Sequence, residues 1–253
     1  QTRAPPARAA AANASTTSLL APRIAAIVPG HRNVAVRIAA PRALPGGRPP
    51  PARGGGGGGR PPPHAAQELI GTSGFAKLTV SGLCTQAKLS ERYYYESFTD
   101  LDTVFSELFE RIVDEIGQAV VAAFVTTAAD IRAKTRAAIA AAVDLIADSP
   151  RKARIVTVEA QLHPALLQRR AEVMRSFAGI MMAVCAAEVG AQIVESAGDQ
   201  AEFAATHLLG GLWETTNSWL SGTLPISRTD LIDRSTDQFL LTAEHLIGAP
   251  LTQ

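Results

Sequence analysis

From Val104 onward, apolar residues recur on a helical period. Val104, Leu108, Ile112, Ile116 and Val120 return every four residues, flanked by Phe105, Phe109 and Val113. That spacing puts them all on one face of a long helix. Asp100 stands at its N-cap, and Gly117 marks a place where the helix should loosen. Ile131, Ile139, Val143 and Ile146 give an Ala-rich helix from Asp130 to Ala147. Ser149 followed by Pro150 is a cap with proline in the first helical position, which opens a helix to about Leu162. His163-Pro164 breaks it. The next stripe (Leu166, Val173, Met174, Phe177, Ile180, Met181, Val184) predicts a helix to about Val189. Gly190 to Gly198 reads as a connector. Asp199 and Glu202 have the form of a capping box for a helix ending near Leu220. Gly222 and Pro225 close that helix, and Ser227 with Asp230 opens the last, to about Ile247.

Before this long helix the pattern is finer. Thr79 can cap a short helix whose apolar face is Val80, Leu83, Cys84 and Ala87. Lys88 and Leu89 make a turn, and Ser90 can cap a second short helix through its hydroxyl. Helix, tight turn and capped helix is the arrangement whose second member enters the major groove of DNA. A shorter helix from about His64 precedes it, because Pro61 to Pro63 are tolerated only in a first turn. The sum is an all-α chain of nine helices with no strand.

Gly74-Phe75, Thr79-Val80, Leu83-Cys84, Ala87, Leu89-Ser90, Tyr94-Tyr95, Phe98 and Asp102-Thr103-Val104 stand at fixed spacing over about 40 residues. In this order the stretch resembles the TetR/AcrR family of bacterial one-component transcriptional regulators. Three positions depart from the family pattern. Lys88 replaces the turn glycine, at some cost because glycine takes positive φ freely. Tyr93 replaces a threonine in the second helix, and Leu101 replaces a lysine opening the next. The resemblance implies an N-terminal three-helix DNA-binding domain, residues 64–110. A C-terminal ligand-binding and dimerisation domain, residues 111–250, would follow. It further implies a cytoplasmic bacterial protein and a homodimer built from the last two helices.

Composition adds an asymmetry of charge. The chain has 253 residues, 47% hydrophobic but only 5% aromatic, which favours close-packed helices over sheet. Residues 1–63 hold nine arginines and no lysine, aspartate or glutamate. The remaining 15 basic and 23 acidic residues give a net −8. The segment 1–63 is also rich in Pro, Gly and Ala, which predicts disorder. It reads as a basic arm tracking phosphates, a misassigned start, or an organelle leader. From His64 to Arg111 the count is four cations against seven carboxylates, a field that opposes DNA. Arginines, prolines and a glycine interrupt the apolar residues 19–40, so no membrane span is expected. Cys84 and Cys185 sit in apolar helical contexts and read as two reduced thiols. The five histidines are scattered, so neither a metal site nor a cofactor is expected.

The candidate DNA-binding residues are Thr79, Lys88, Ser90, Glu91, Arg92, Tyr93 and Tyr95. Arg92 can take guanine O6 and N7 bidentately, or pair with a surface carboxylate instead. Thr79, at a helix N-terminus, can meet a phosphate. Tyr95 matches the family tyrosine that reaches the DNA backbone, while Tyr94 and Phe98 read as core. Phe109, Phe124, Leu145, Val158, Leu162, Met174, Phe177 and Met181 are the candidate lining of an apolar effector pocket. Gln161, His163 and Asn217 are its possible polar anchors. Leu208, Leu212, Trp213, Phe239 and Leu240 are the candidate dimer contacts, and Gly210-Gly211 would let a partner helix approach. The function these imply is a repressor that an apolar small molecule releases from an inverted-repeat operator in double-stranded DNA. The alternative is a degenerate member that dimerises and binds ligand without gripping an operator. With no nucleophile–base pair, metal cluster or phosphate loop, an enzyme is not expected.

Overall fold

The computed structural model describes residues 63–251. The expectations for residues 1–62 lie outside the described residues. Every regular element among the described residues is helical. α1 is Pro63–Ser73, α2 Val80–Ala87, α3 Glu91–Ser97, α4 Leu101–Thr126 and α5 Ile131–Ala147. α6 is a composite of Pro150–Arg154, a π turn at Ile155–Glu159, and Ala160–Leu162. α7 is Leu167–Val189, α8 Ala191–Ala197, α9 Asp199–Leu220 and α10 Arg228–Ile247. That makes ten helices rather than nine.

The added helix is α8, which occupies the expected connector. It fits between two glycines with positive φ, Gly190 at 102° and Gly198 at 53°, where the backbone leaves one helix and enters the next. Its presence removes the capping box expected at Asp199. Gly198 is the N-cap, and Asp199 lies inside the first turn with no side-chain cap. Asp199 and Glu202 still place negative charge at the positive end of α9. The other caps form. Thr79, Ser90, Asp100 and Ser149 each accept the backbone N–H three residues on. Ser227 and Asp230 make a reciprocal box.

α4 runs unbroken through Gly117, contrary to the expected loosening. Gly117 is buried, and the Phe177 ring of α7 lies where a Cβ would meet it at 3.7 Å. Most of the predicted stripe is buried: Val120 is half-buried, while Val104, Phe105, Leu108, Phe109, Ile112, Val113 and Ile116 are all under a tenth exposed. Each such side chain contributes roughly 1.5–3 kcal/mol by leaving water. One core joins them to Ile70, Leu83, Tyr94 and Phe98 on one side and to Ile155, Val156, Leu166 and Val173 on the other. The expected division at 110/111 therefore falls within a single helix and a single core cluster. A second contact, Ile139 and Val143 against Leu231 and Ile232, ties α5 to α10. Arg132–Asp237 and Arg136–Asp233, both 2.6 Å, close the rim of that contact.

Candidate nucleic-acid interface and ligand cavity

The helix pair α2–α3 is built by its caps. The Thr79 hydroxyl accepts the Gly82 N–H at 3.1 Å, and the Ser90 hydroxyl accepts the Tyr93 N–H at 3.3 Å. Between them Lys88 adopts φ 55°, ψ 43°, so the turn is left-handed without its glycine. Tyr94 is 1% exposed and stacks on Phe98 with ring centroids 5.7 Å apart. Burial pushes its phenol above the usual value, and its hydroxyl has no hydrogen-bond partner among the described residues. Tyr94 thus anchors α3 and turns the opposite face out. Thr79, Lys88, Ser90, Glu91, Arg92 and Tyr95 are exposed, and Tyr93 is half-buried. Arg92 pairs with Glu96 one turn on, Nε to Oε1 at 3.0 Å, on a fully wet face. Such a pair is worth only about 0.3–0.5 kcal/mol, so the guanidinium can be drawn away by a phosphate or a base.

Behind this pair, α1 and the turn after it are pinned to α6. Glu159 is buried. Its carboxylate accepts the Phe75 N–H at 2.9 Å and Arg154 Nε at 3.0 Å. Arg154 Nη1 also donates to the Thr72 carbonyl at 3.0 Å. His163 packs edge-on against Phe75 and Phe105, at 4.5 and 5.1 Å between centroids, with Nε2 3.4 Å from Asp102 Oδ1. His163 is therefore a wedge between the turn after α1 and the start of α4, and not a polar anchor of the cavity.

The cavity, of about 500 Å³, lies between α4, α5, α7, α9 and α10, with Val156 of α6 in one wall and Ile193 and Val194 of α8 in another. Of the predicted lining, Phe109, Phe124, Met174, Phe177 and Met181 meet there. Leu145, Val158, Gln161, Leu162 and Asn217 do not. Leu145 packs on the main core. Val158 and Leu162 are 45% and 75% exposed, and Gln161 is exposed beside them. The reason is Glu159. Its bonds hold the 155, 156, 159 and 160 face inward, so the 158 and 162 face points to water. Asn217 is half-buried, its Oδ1 without a partner among the described residues.

The cavity lining the pattern did not suggest includes Val156, Arg170, Cys185 and Glu188. Arg170 and Glu188 are the charged side chains in this wall. Cys185 is a free thiol pushed above its usual pKa by burial. Arg170 already lies within the stripe from Leu166 to Val184, and one more turn beyond Val184 reaches Glu188.

The predicted dimer contacts divide. Leu240 is 4% exposed and belongs to this chain's own core. Leu208, Leu212, Trp213 and Phe239 are half-buried and line the cavity. Their apolar character goes inward because α9 and α10 close the cavity. The outward face of α9 is Phe203, His207, Gly211 and Glu214 instead, while Gly210 borders the cavity. Phe203 is 74% exposed, and Leu241 on α10 is 59% exposed. A Cβ at Gly210 or Gly211 would meet nothing within 4 Å.

No family model matches this chain, and no curated protein does either. Among the described residues, no helix is long and apolar enough to cross a membrane, and no group of histidine, cysteine and carboxylate side chains could hold a metal ion.

Proposed function

We propose that this protein is a ligand-responsive, DNA-binding transcriptional regulator of the TetR/AcrR type, acting as a homodimeric repressor in a bacterial cytoplasm. The observation that carries this reading is the α2–α3 pair, in which both caps close, Tyr94 is buried, and the opposite face of α3 is free to enter a groove. In this reading α1 to α3 form the DNA-binding domain, and Arg92 and Tyr95 contact DNA from α3. Thr79, Lys88, Ser90, Glu91 and Tyr93 surround them. The cavity takes the effector. The outward faces of α9 and α10 pair two copies by a self-complementary contact. The copies then present two α3 helices to half-sites one helical turn or a multiple apart. An effector that favours the conformation unable to span both half-sites releases the DNA.

A second reading is a relative that binds ligand and dimerises without gripping an operator. The net −3 of residues 64–111 and the Arg92–Glu96 pair favour it, because affinity for DNA rests heavily on phosphate neutralisation.

Fluorescence anisotropy of the full chain with DNA flanking its gene, against random DNA, separates the two. The regulator binds the flanking DNA more tightly, and Arg92→Ala costs roughly 1–3 kcal/mol there while relaxing specificity at one position. No binding to either DNA, with a ligand still raising the melting temperature, would establish the second reading.

A further inference from the structure

We propose that the cavity takes an amphipathic carboxylate, with the acid group on Arg170 and the apolar tail lying along α7. This rests on the reading of the cavity as an effector site and names the chemistry of the effector. Two side chains of the wall carry charge, Arg170 and Glu188. Glu188 is already neutralised, its Oε1 2.8 Å from Lys134 Nζ, with both side chains under a quarter exposed. Lys134 in turn lies over the Phe124 ring at 5.7 Å.

Arg170 is half-buried and has no ion-pair partner among the described residues. Its neighbour Arg169 is held by Glu110 and Glu172 instead. Arg170 stands in the wall of an apolar cavity with no counter-charge beside it among the described residues, and a guanidinium turned into that cavity is costly without one. A carboxylate supplies that charge and fits the planar fork with two parallel hydrogen bonds. A neutral ligand leaves Arg170 uncompensated. A cationic ligand meets a like charge at one end and an occupied carboxylate at the other.

The shape agrees with the charge. Arg170 and Glu188 are eighteen residues apart on one helix, about 27 Å at 1.5 Å per residue. The wall between them is Val173, Met174, Phe177, Ile180, Met181 and Val184. The cavity therefore extends along α7 from its one uncompensated cation over an apolar track. That asymmetry selects a long molecule with an acid at one end.

Isothermal titration calorimetry of the full chain tests this with dodecanoate and dodecyltrimethylammonium below their micelle concentrations and dodecanol below its solubility limit. Dodecanoate should bind about tenfold or more tighter than dodecanol, the usual range for a charge-assisted hydrogen bond, and the ammonium weakest. Arg170→Met should bring dodecanoate down to the affinity of dodecanol and leave dodecanol unchanged. Arg170→Lys should keep part of the preference. Because Arg170 gives up no ion pair, Arg170→Lys should melt near the parent temperature, and Arg170→Met, which removes the uncompensated charge, at or above it. Equal binding of dodecanoate and dodecanol, or a preference that survives Arg170→Met, would overturn the carboxylate while leaving the cavity a ligand site. Tighter binding of the ammonium would overturn it too. Failure of all three to bind would overturn the effector-site reading along with it.

Discussion

Lys88 is the one non-glycine residue with positive φ among the described residues. An L-residue pays about 1–2 kcal/mol in that region, and glycine gives back part of the relief through its freer unfolded chain. Lys88→Gly should therefore raise stability by roughly 0.5–1 kcal/mol in urea denaturation, and a loss would show that the lysine side chain holds the turn. Two glycines of the helices, Gly71 and Gly117, answer differently to a methyl group. At Gly117 the new Cβ meets the Phe177 ring at an ordinary 3.7 Å. Gly117→Ala should then gain about 0.5–1 kcal/mol of helix stability. At Gly71 a Cβ falls 2.5 Å from Arg151 Cβ and 2.9 Å from its Cα. Gly71→Ala should accordingly cost about 1–3 kcal/mol by forcing α1 off α6. Thermal melts of the pair should move in opposite directions, and a common direction would contradict this packing. The sequence made the Lys88 strain visible, since a turn that wants glycine lacks one. It hid the difference between Gly71 and Gly117, because both look like helix weakeners until the facing helix is in place.

At the scale of elements, the stripes of α4, α5 and α7 were legible, and so were the caps at Thr79, Ser90, Asp100 and Ser227. A period of 3.6 and a capping hydroxyl are local signals. What stayed hidden depended on distant partners. Ile155, Val156, Val158, Ala160 and Leu162 allow more than one apolar face, and the choice among them is made by Glu159, 84 residues from the Phe75 N–H it accepts. The same π turn carries Val156 into the cavity wall and Glu159 into the clasp on α1. Glu159→Ala would leave the Phe75 N–H and Arg154 Nε without their acceptor, at roughly 1–3 kcal/mol. Denaturation should show that loss, and an unchanged midpoint would mean that water replaces the carboxylate there. α8 escaped notice because seven residues between glycines are too short to show a period.

For the whole molecule, the all-helical architecture followed from composition and periodicity, but the division of apolar surface between core and interface did not. α9 and α10 carry apolar residues on more than one face. Leu208, Leu212 and Leu240 serve the inside, and Phe203 and Leu241 are left outside. A dimer should therefore be broken at the outer residues. Phe203→Glu combined with Leu241→Glu should sediment as a monomer at micromolar concentration with its helical content retained. The parent should sediment as a dimer. Leu240→Glu should instead unfold the chain, because it buries an unpaired charge. A parent that sediments as a monomer would remove the basis for placing two α3 helices on one operator.

The two tryptophans are unequal partners of the cavity. Trp213 is part of its wall. Trp219 is tethered elsewhere, its Nε1 donating to the Ile226 carbonyl at 3.0 Å and its ring under the Arg228 guanidinium at 5.9 Å. The protein thus carries its own optical gauge of occupancy. With Trp219→Phe, emission comes from the indole that borders the cavity, and its wavelength should shift to the blue as a ligand expels water around it. With Trp213→Phe, the remaining emission should barely respond to the same ligand.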